Sequence, residues 1–170
     1  RNLILCGGMD SFGLKRPQLM WQLEALSQIR NRHDDLAQRV LLATDESPPP
    51  DVADYSLERK IRYEMDVLSL AISAHPMVPI RPSLDASGVL RARSIADHVN
   101  RIVRVAGRVV AMKHTTTTER GQEMFFLSLE DETALFEVVF FPDAYRRLRR
   151  VVHGGGAFVV TGKVQDDDGA

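Results

Sequence analysis

The chain has 170 residues, 44% hydrophobic and 26% charged, a mixture that excludes a disordered tail and leaves room for one solid domain or two small ones. Its 22 Lys and Arg against 23 Asp and Glu leave a formal net charge of -1, which excludes a global basic field as the basis of polyanion binding. A single cysteine, Cys6, excludes an internal disulfide and fits a reducing cytosol, and no apolar run approaches the roughly 20 residues of a membrane span, so a cytoplasmic location without a membrane partner is expected.

From the start, residues 1–6 read as the tail of a helix stopped by Gly7 and Gly8. Pro17 opens the next helix, over 17–30, with Leu19, Leu23, Leu26 and Ile29 at helical spacing and Trp21 beside them. A shorter helical piece is expected over 34–42. Three consecutive prolines and four acids then forbid regular structure over 43–54, which makes this stretch the main linker. Ser56 caps a helix expected to run to about residue 73, with Leu57, Ile61, Met65, Leu68 and Ile72 on its buried face; Met65 in that stripe is core rather than ligand. The helix ends at His75-Pro76. Pro79 and Pro82 should keep the next segment extended, and 84–99 reads as irregular with a short helix over 94–98.

The C-terminal part has a different period. Residues 101–112 form a strand with Val103, Val105, Val109 and Ala111 inward and Arg104 and Arg108 outward, and Gly107 inside it predicts a bulge or bend. The runs 122–130 and 134–141 are separated by three residues, Asp131, Glu132 and Thr133, which demands an antiparallel hairpin. In the first run Phe125, Leu127 and Leu129 share one face while Met124, Phe126 and Ser128 share the other; in the second, Phe136, Val138 and Phe140 are set apart from Glu137 and Phe141. Pro142 stops the second run, a short helix follows over 143–152, and beyond Gly154, Gly155 and Gly156 a fourth strand spans 157–164. Strand, strand, strand, helix, strand is four-fifths of an OB fold, whose last strand would follow the turn formed by Asp166, Asp167, Asp168 and Gly169. The expected fold class is therefore α+β: an N-terminal helical segment, then a five-stranded type of OB β-barrel without its last strand, the chain being an excerpt of a longer protein. The expected divisions are helical 1–44, linker 45–55, a connecting helix and irregular segment 56–100, and an incomplete OB domain 101–170.

A family resemblance is carried by three pieces in order. The hairpin 127–147, preceded by the glycine-bearing strand Val105-Ala106-Gly107-Arg108 and followed by Gly162-Lys163-Val164-Gln165, resembles the OB domain of the alpha subunit of bacterial DNA polymerase III, the C-family polymerases. Leu3-Ile4-Leu5-Cys6-Gly7-Gly8-Met9-Asp10-Ser11-Phe12-Gly13 resembles that family's LIxAGAFDxxG segment, in its tandem helix-hairpin-helix region, and residues 68–77 resemble its LGLxxSxHPM segment, with wording that leans toward the error-prone branch. The resemblance implies a part of a DNA-directed DNA polymerase with a role in replication or repair, and it places residues 1–44 at the end of the helix-hairpin-helix region. The parent's Mg²⁺-dependent centre would lie upstream, with no cofactor in this segment. It also implies partners: single-stranded template, duplex DNA, and other replication or mutagenesis proteins. The glutamine-and-aromatic clamp-binding peptide of many members is not visible between Asp45 and Tyr55.

The residues themselves support binding rather than catalysis. A two-metal polymerase centre needs converging carboxylates, and Asp166-Asp167-Asp168, the one suggestive cluster, reads as a solvated turn because consecutive strand residues point to alternate faces. The five histidines are scattered without metal-ligand spacing. OB folds hold single strands by stacking bases on aromatics while basic side chains follow the backbone. Phe126 is the candidate platform, against the alternative that it packs on a further strand or domain. Arg104 and Arg108 would line one wall. Lys113, His114 and Arg120 flank a threonine-rich loop over 113–121, and residues 101–164 carry ten Lys and Arg against seven Asp and Glu. Lys15 and Arg16 are within reach of a phosphate or form a solvated pair. Arg146, Arg147, Arg149 and Arg150 serve the groove, solvent or a domain interface. The competing class is an OB module that docks a replication or mutagenesis protein without touching DNA; an RNA-binding appendage is a third.

Overall fold

The computed structural model describes residues 1–32, 48–116 and 123–166, with the backbone alone at 28–32. The helix expected over 34–42 and Arg120 lie outside the described residues, as does most of the acidic run after Gln165. Two compact units divide the chain, Arg1–His75 and Pro76–Ala170.

The first unit is helical. α1 (Asn2–Leu5) is a single turn that packs on both longer helices, α2 (Arg16–Arg32) and α3 (Leu57–Leu68). Ile4, Cys6, Leu19 and Ile61 form its buried apolar set, while Trp21, Leu26, Leu57 and Leu68 stay substantially exposed, so the expected stripe is buried only in part. The Ser56 hydroxyl caps α3 by accepting from the Arg59 amide. The helix stops at Leu68 rather than near residue 73, because Ser69 turns left-handed (φ 57°) and its amide closes back on the Met65 carbonyl. Ile72 is consequently outside the helix and exposed.

That early stop has an electrostatic reason. Glu64, wholly buried on α3, accepts from the amides of Ile72 and Ser73 (both 2.8 Å), from the Ser73 hydroxyl and from Arg16 Nη2 (2.9 Å). A helix continued to residue 73 would carry those two amides away from the carboxylate. Burial works against the charge of Glu64, but the donors of Ser73, Ile72 and Arg16 outweigh it and hold the carboxyl at about 2.

The second unit opens with a short 3₁₀ turn, Val78–Ile80, and α4 (Arg81–Ala86). The expectation of an extended segment here is corrected: Pro79 and Pro82 each stand in a helical first turn, where no amide is needed. A second 3₁₀ stretch covers Ala92–His98, longer than the short helix read from the sequence. Then come β1 (Ile102–Thr116), β2 (Glu123–Glu130), β3 (Leu135–Phe140), α5 (Pro142–Val152) and β4 (Ala157–Lys163). The sheet is antiparallel in the order β3-β2-β1-β4. β1 is long enough to serve two neighbours: its first half pairs with β4 and its second with β2, meeting at Arg108. α5 carries the chain from β3 back to the far side of β1. This is the strand order of an OB half-barrel.

Alternation sets the core. Phe125, Leu127, Leu129 and Phe140 face inward and pack with Tyr145 and Val152 of α5, while Val103, Val105 and Val164 extend the core toward Leu90 and Ile95. On the opposite face Ala106 is buried beneath Met77, Val89 and Leu84. The hairpin tip is tied to the same preceding segment. Asp131 accepts from the Ala92 amide (2.8 Å) and lies 3.0 Å from the Arg81 guanidinium, which is also 2.6 Å from Glu132.

The bulge is not at Gly107. Gly107 pairs in regular register with Phe158; the irregularity falls between Val109, opposite Leu129, and Ala111, opposite Ser128, leaving Val110 as the extra residue. Glycine is required at 107 for space. A Cβ there would stand 2.8 Å from the Phe136 ring and 2.9 Å from both the Glu130 carbonyl oxygen and the Leu129 Cβ.

Candidate nucleic-acid interface

The bulge changes which side chains share a face. Before it, Arg104, Ala106 and Arg108 point away from the core; after it, Ala111, Lys113 and Thr115 do. Ala111, expected inward, is thus turned outward and exposed. On this outer face Lys113 stands directly opposite Phe126, and Phe126 opposite Val139. Phe126 is half-buried and Lys113 exposed, and among the described residues no carboxylate takes up the Lys113 ammonium. A partly covered ring thus stands between an exposed ammonium and an exposed aliphatic side chain on three successive strands.

The other predicted residues go elsewhere or are already engaged. Arg108 shares the face but lies 3.6 Å from the Glu130 carboxylate, and Arg104 donates to the Ser87 carbonyl at 3.1 Å. His114 belongs to the opposite face. Its ring lies 4.7 Å from Phe125, stacks parallel on His153 at 5.5 Å, and shares the Tyr145 hydroxyl, which is 3.4 Å from His114 Nδ1 and 3.0 Å from His153 Nε2. Adjacent strand residues cannot serve one surface, so Lys113 and His114 part company.

In the first unit Lys15 is exposed and pairs with Asp51 at 2.9 Å. Arg16 is buried to 2% exposure, with its guanidinium 2.9 Å from both Asp10 and Glu64 and donating to the Leu5 carbonyl. The Asp10 hydrogen bond, the first of these influences, raises the Arg16 pKa despite burial. Its donors are turned into the unit and not toward a phosphate. Sequence reasoning missed this role and the burial of Glu64 and Asp131, since a charged residue in an amphipathic helix or at a hairpin tip carries no local sign of a distant partner. Among the described residues no group of three or more His, Cys, Asp or Glu is placed to hold a metal ion, and no helix is long and apolar enough to cross a membrane.

Residues 103–170 match the family described as OB-fold nucleic acid binding domain, in agreement with the strand order, and this part of the chain has the OB fold. The wider similarity is to DNA polymerases. The chain is 29% identical over 168 residues, 96% of its length, to DNA polymerase III subunit alpha of Bacillus subtilis (strain 168). It is 33% identical over 121 residues, 69% of its length, to the error-prone DNA polymerase of Anaeromyxobacter dehalogenans (strain 2CP-C), and 27% identical over 169 residues, 88% of its length, to that of Symbiobacterium thermophilum. The chain is therefore a relative of the DNA polymerase III alpha subunit and the error-prone DNA polymerases. It spans 15%, 10% and 16% of those three proteins.

Proposed function

We propose that this chain is a non-catalytic, DNA-holding part of a bacterial replicative or error-prone DNA polymerase, and that its OB domain guides single-stranded template. The observation that carries the reading is the cross-strand pair of exposed Lys113 and partly exposed Phe126 on the outer face. A base stacks on the Phe126 ring while Lys113, one strand away, meets its phosphate; Thr115 follows Lys113 on the same face. Arg108 supports this wall through its ion pair with Glu130, and Arg104 holds the preceding segment through Ser87. Arg16 has no part in the interface, because its guanidinium is enclosed.

Fluorescence anisotropy with labelled oligo-dT and with duplex DNA across a salt series tests it. Single-strand affinity should fall steeply with salt. Phe126→Ala should weaken oligo-dT binding by about 1–3 kcal/mol with little effect on duplex. Absence of oligonucleotide binding at low salt refutes the reading. That result would favour the second one, a protein-docking module, which is supported by Leu135 and Val139 lying exposed on edge strand β3 and Phe141 exposed just after it.

A further inference from the structure

We infer that α5 is a second phosphodiester-binding surface, over which a single strand leaving the Phe126 face continues. Arg146, Arg149, Arg150 and His153 stand at i, i+3, i+4 and i+7, so they form one face of the helix and its cap, and all four are exposed. The buried side, Tyr145 and Val152, points into the core and leaves this face free. Asp143, the one acid of the helix, pairs with Arg146. Among the described residues Arg149 and Arg150 have no carboxylate partner.

A solvated helix in a chain of net charge -1 would mix both signs; this one concentrates cations. Favourable interaction with the C-terminal carbonyls accounts for basic residues in the last turn, where Arg149 and Arg150 sit, but not for Arg146 and Arg147 one turn earlier. All four are arginines, whose planar fork matches phosphate oxygens. The end of β1 joins the two surfaces: Lys113 faces Phe126, and the next residue, His114, stacks on His153 at the end of α5. Lys113 and His114, neighbours in β1, thus lead from the Phe126 face to the cap of α5, within a turn of Arg149 and Arg150.

This inference rests on the single-strand reading above, and the test separates the two. Intact protein and the variant Arg149→Gln/Arg150→Gln are titrated with dT6 and dT16, a pair within the span of about 4–16 nucleotides that one OB fold covers. For dT16 the variant's slope of log K against log salt should be shallower by about 1.4, so the unaltered protein loses about sevenfold more affinity between 50 and 200 mM salt. For dT6 the slopes should coincide. Arg149→Lys/Arg150→Lys should keep the steep slope, and circular dichroism melts confirm that each variant is folded. Equal dT16 slopes in a folded variant overturn the inference and leave the Phe126 reading standing. The same equality with charge-dependent binding of polyglutamate makes the helix a site for acidic protein instead. If neither oligonucleotide binds, both readings fail.

Discussion

Glu64→Gln tests how the helical unit is held together. The substitution keeps the shape of the side chain but replaces a carboxylate oxygen by an NH₂ group, which then faces donors: Arg16 and the Ser73 hydroxyl, or the amides of Ile72 and Ser73. The network holds at about 2 a carboxyl whose ordinary value is 4.5. At about 1.4 kcal/mol per pH unit, ionisation of Glu64 stabilises the fold by about 3 kcal/mol at neutral pH, within reach of the roughly 3–5 kcal/mol typical of a broken buried pair. Because the folded value is depressed, this contribution is complete above pH 4.5 and is lost as pH falls toward 2. Trp21, the only tryptophan, lies in this unit, so urea unfolding followed by its fluorescence reports on the right part of the chain. The variant should be about 3 kcal/mol less stable at pH 7, and the gap should close between pH 4.5 and 2. Asp51 and Asp54 also have lowered values through Lys15 and Lys60, so both proteins weaken in acid; the difference between them is diagnostic. A gap that is absent at pH 7, or unchanged at pH 2.5, refutes the account.

Two further predictions concern the sheet. Gly107→Ala places a methyl group against the Phe136 ring, the Glu130 carbonyl and the Leu129 Cβ at under 3 Å, and should cost about 1–3 kcal/mol by overpacking, read as a melting temperature lower by at least about 4 °C. An unchanged melting temperature would show that the strand yields there. Arg81→Met removes the cation between buried Asp131 and Glu132 and should cost about 3 kcal/mol, partly recovered on adding Asp131→Asn. Strict additivity in that double-mutant cycle would mean that Arg81 and Asp131 are not energetically coupled.

Much of the barrel was legible because its signals are local. The inward set Phe125, Leu127, Leu129 and Phe140 follows from a period of two, the hairpin from a short connection, read as three residues and four in the structure, and the start of α5 from Pro142. The same rule of proline led to the wrong segment at Pro79 and Pro82: a missing amide marks a helix start as readily as it marks an extended chain, and only the neighbours decide.

The sequence by itself determined the order of strands and helix and the alternation within β2 and β3, since those depend on residues two to four positions apart. The tertiary structure alone decided the phase of β1 and the fate of the buried charges. Gly107 and Val110 cannot be ranked as the bulge without knowing that Leu129 and Ser128 lie opposite, and that one choice puts Lys113 beside Phe126 and turns His114 away. Arg16 and Glu64 are 48 positions apart, and Arg81 and Asp131 are 50 apart. A charge loses its solvent only when such a distant partner arrives, so the pairing is written in the fold and in no window of the chain.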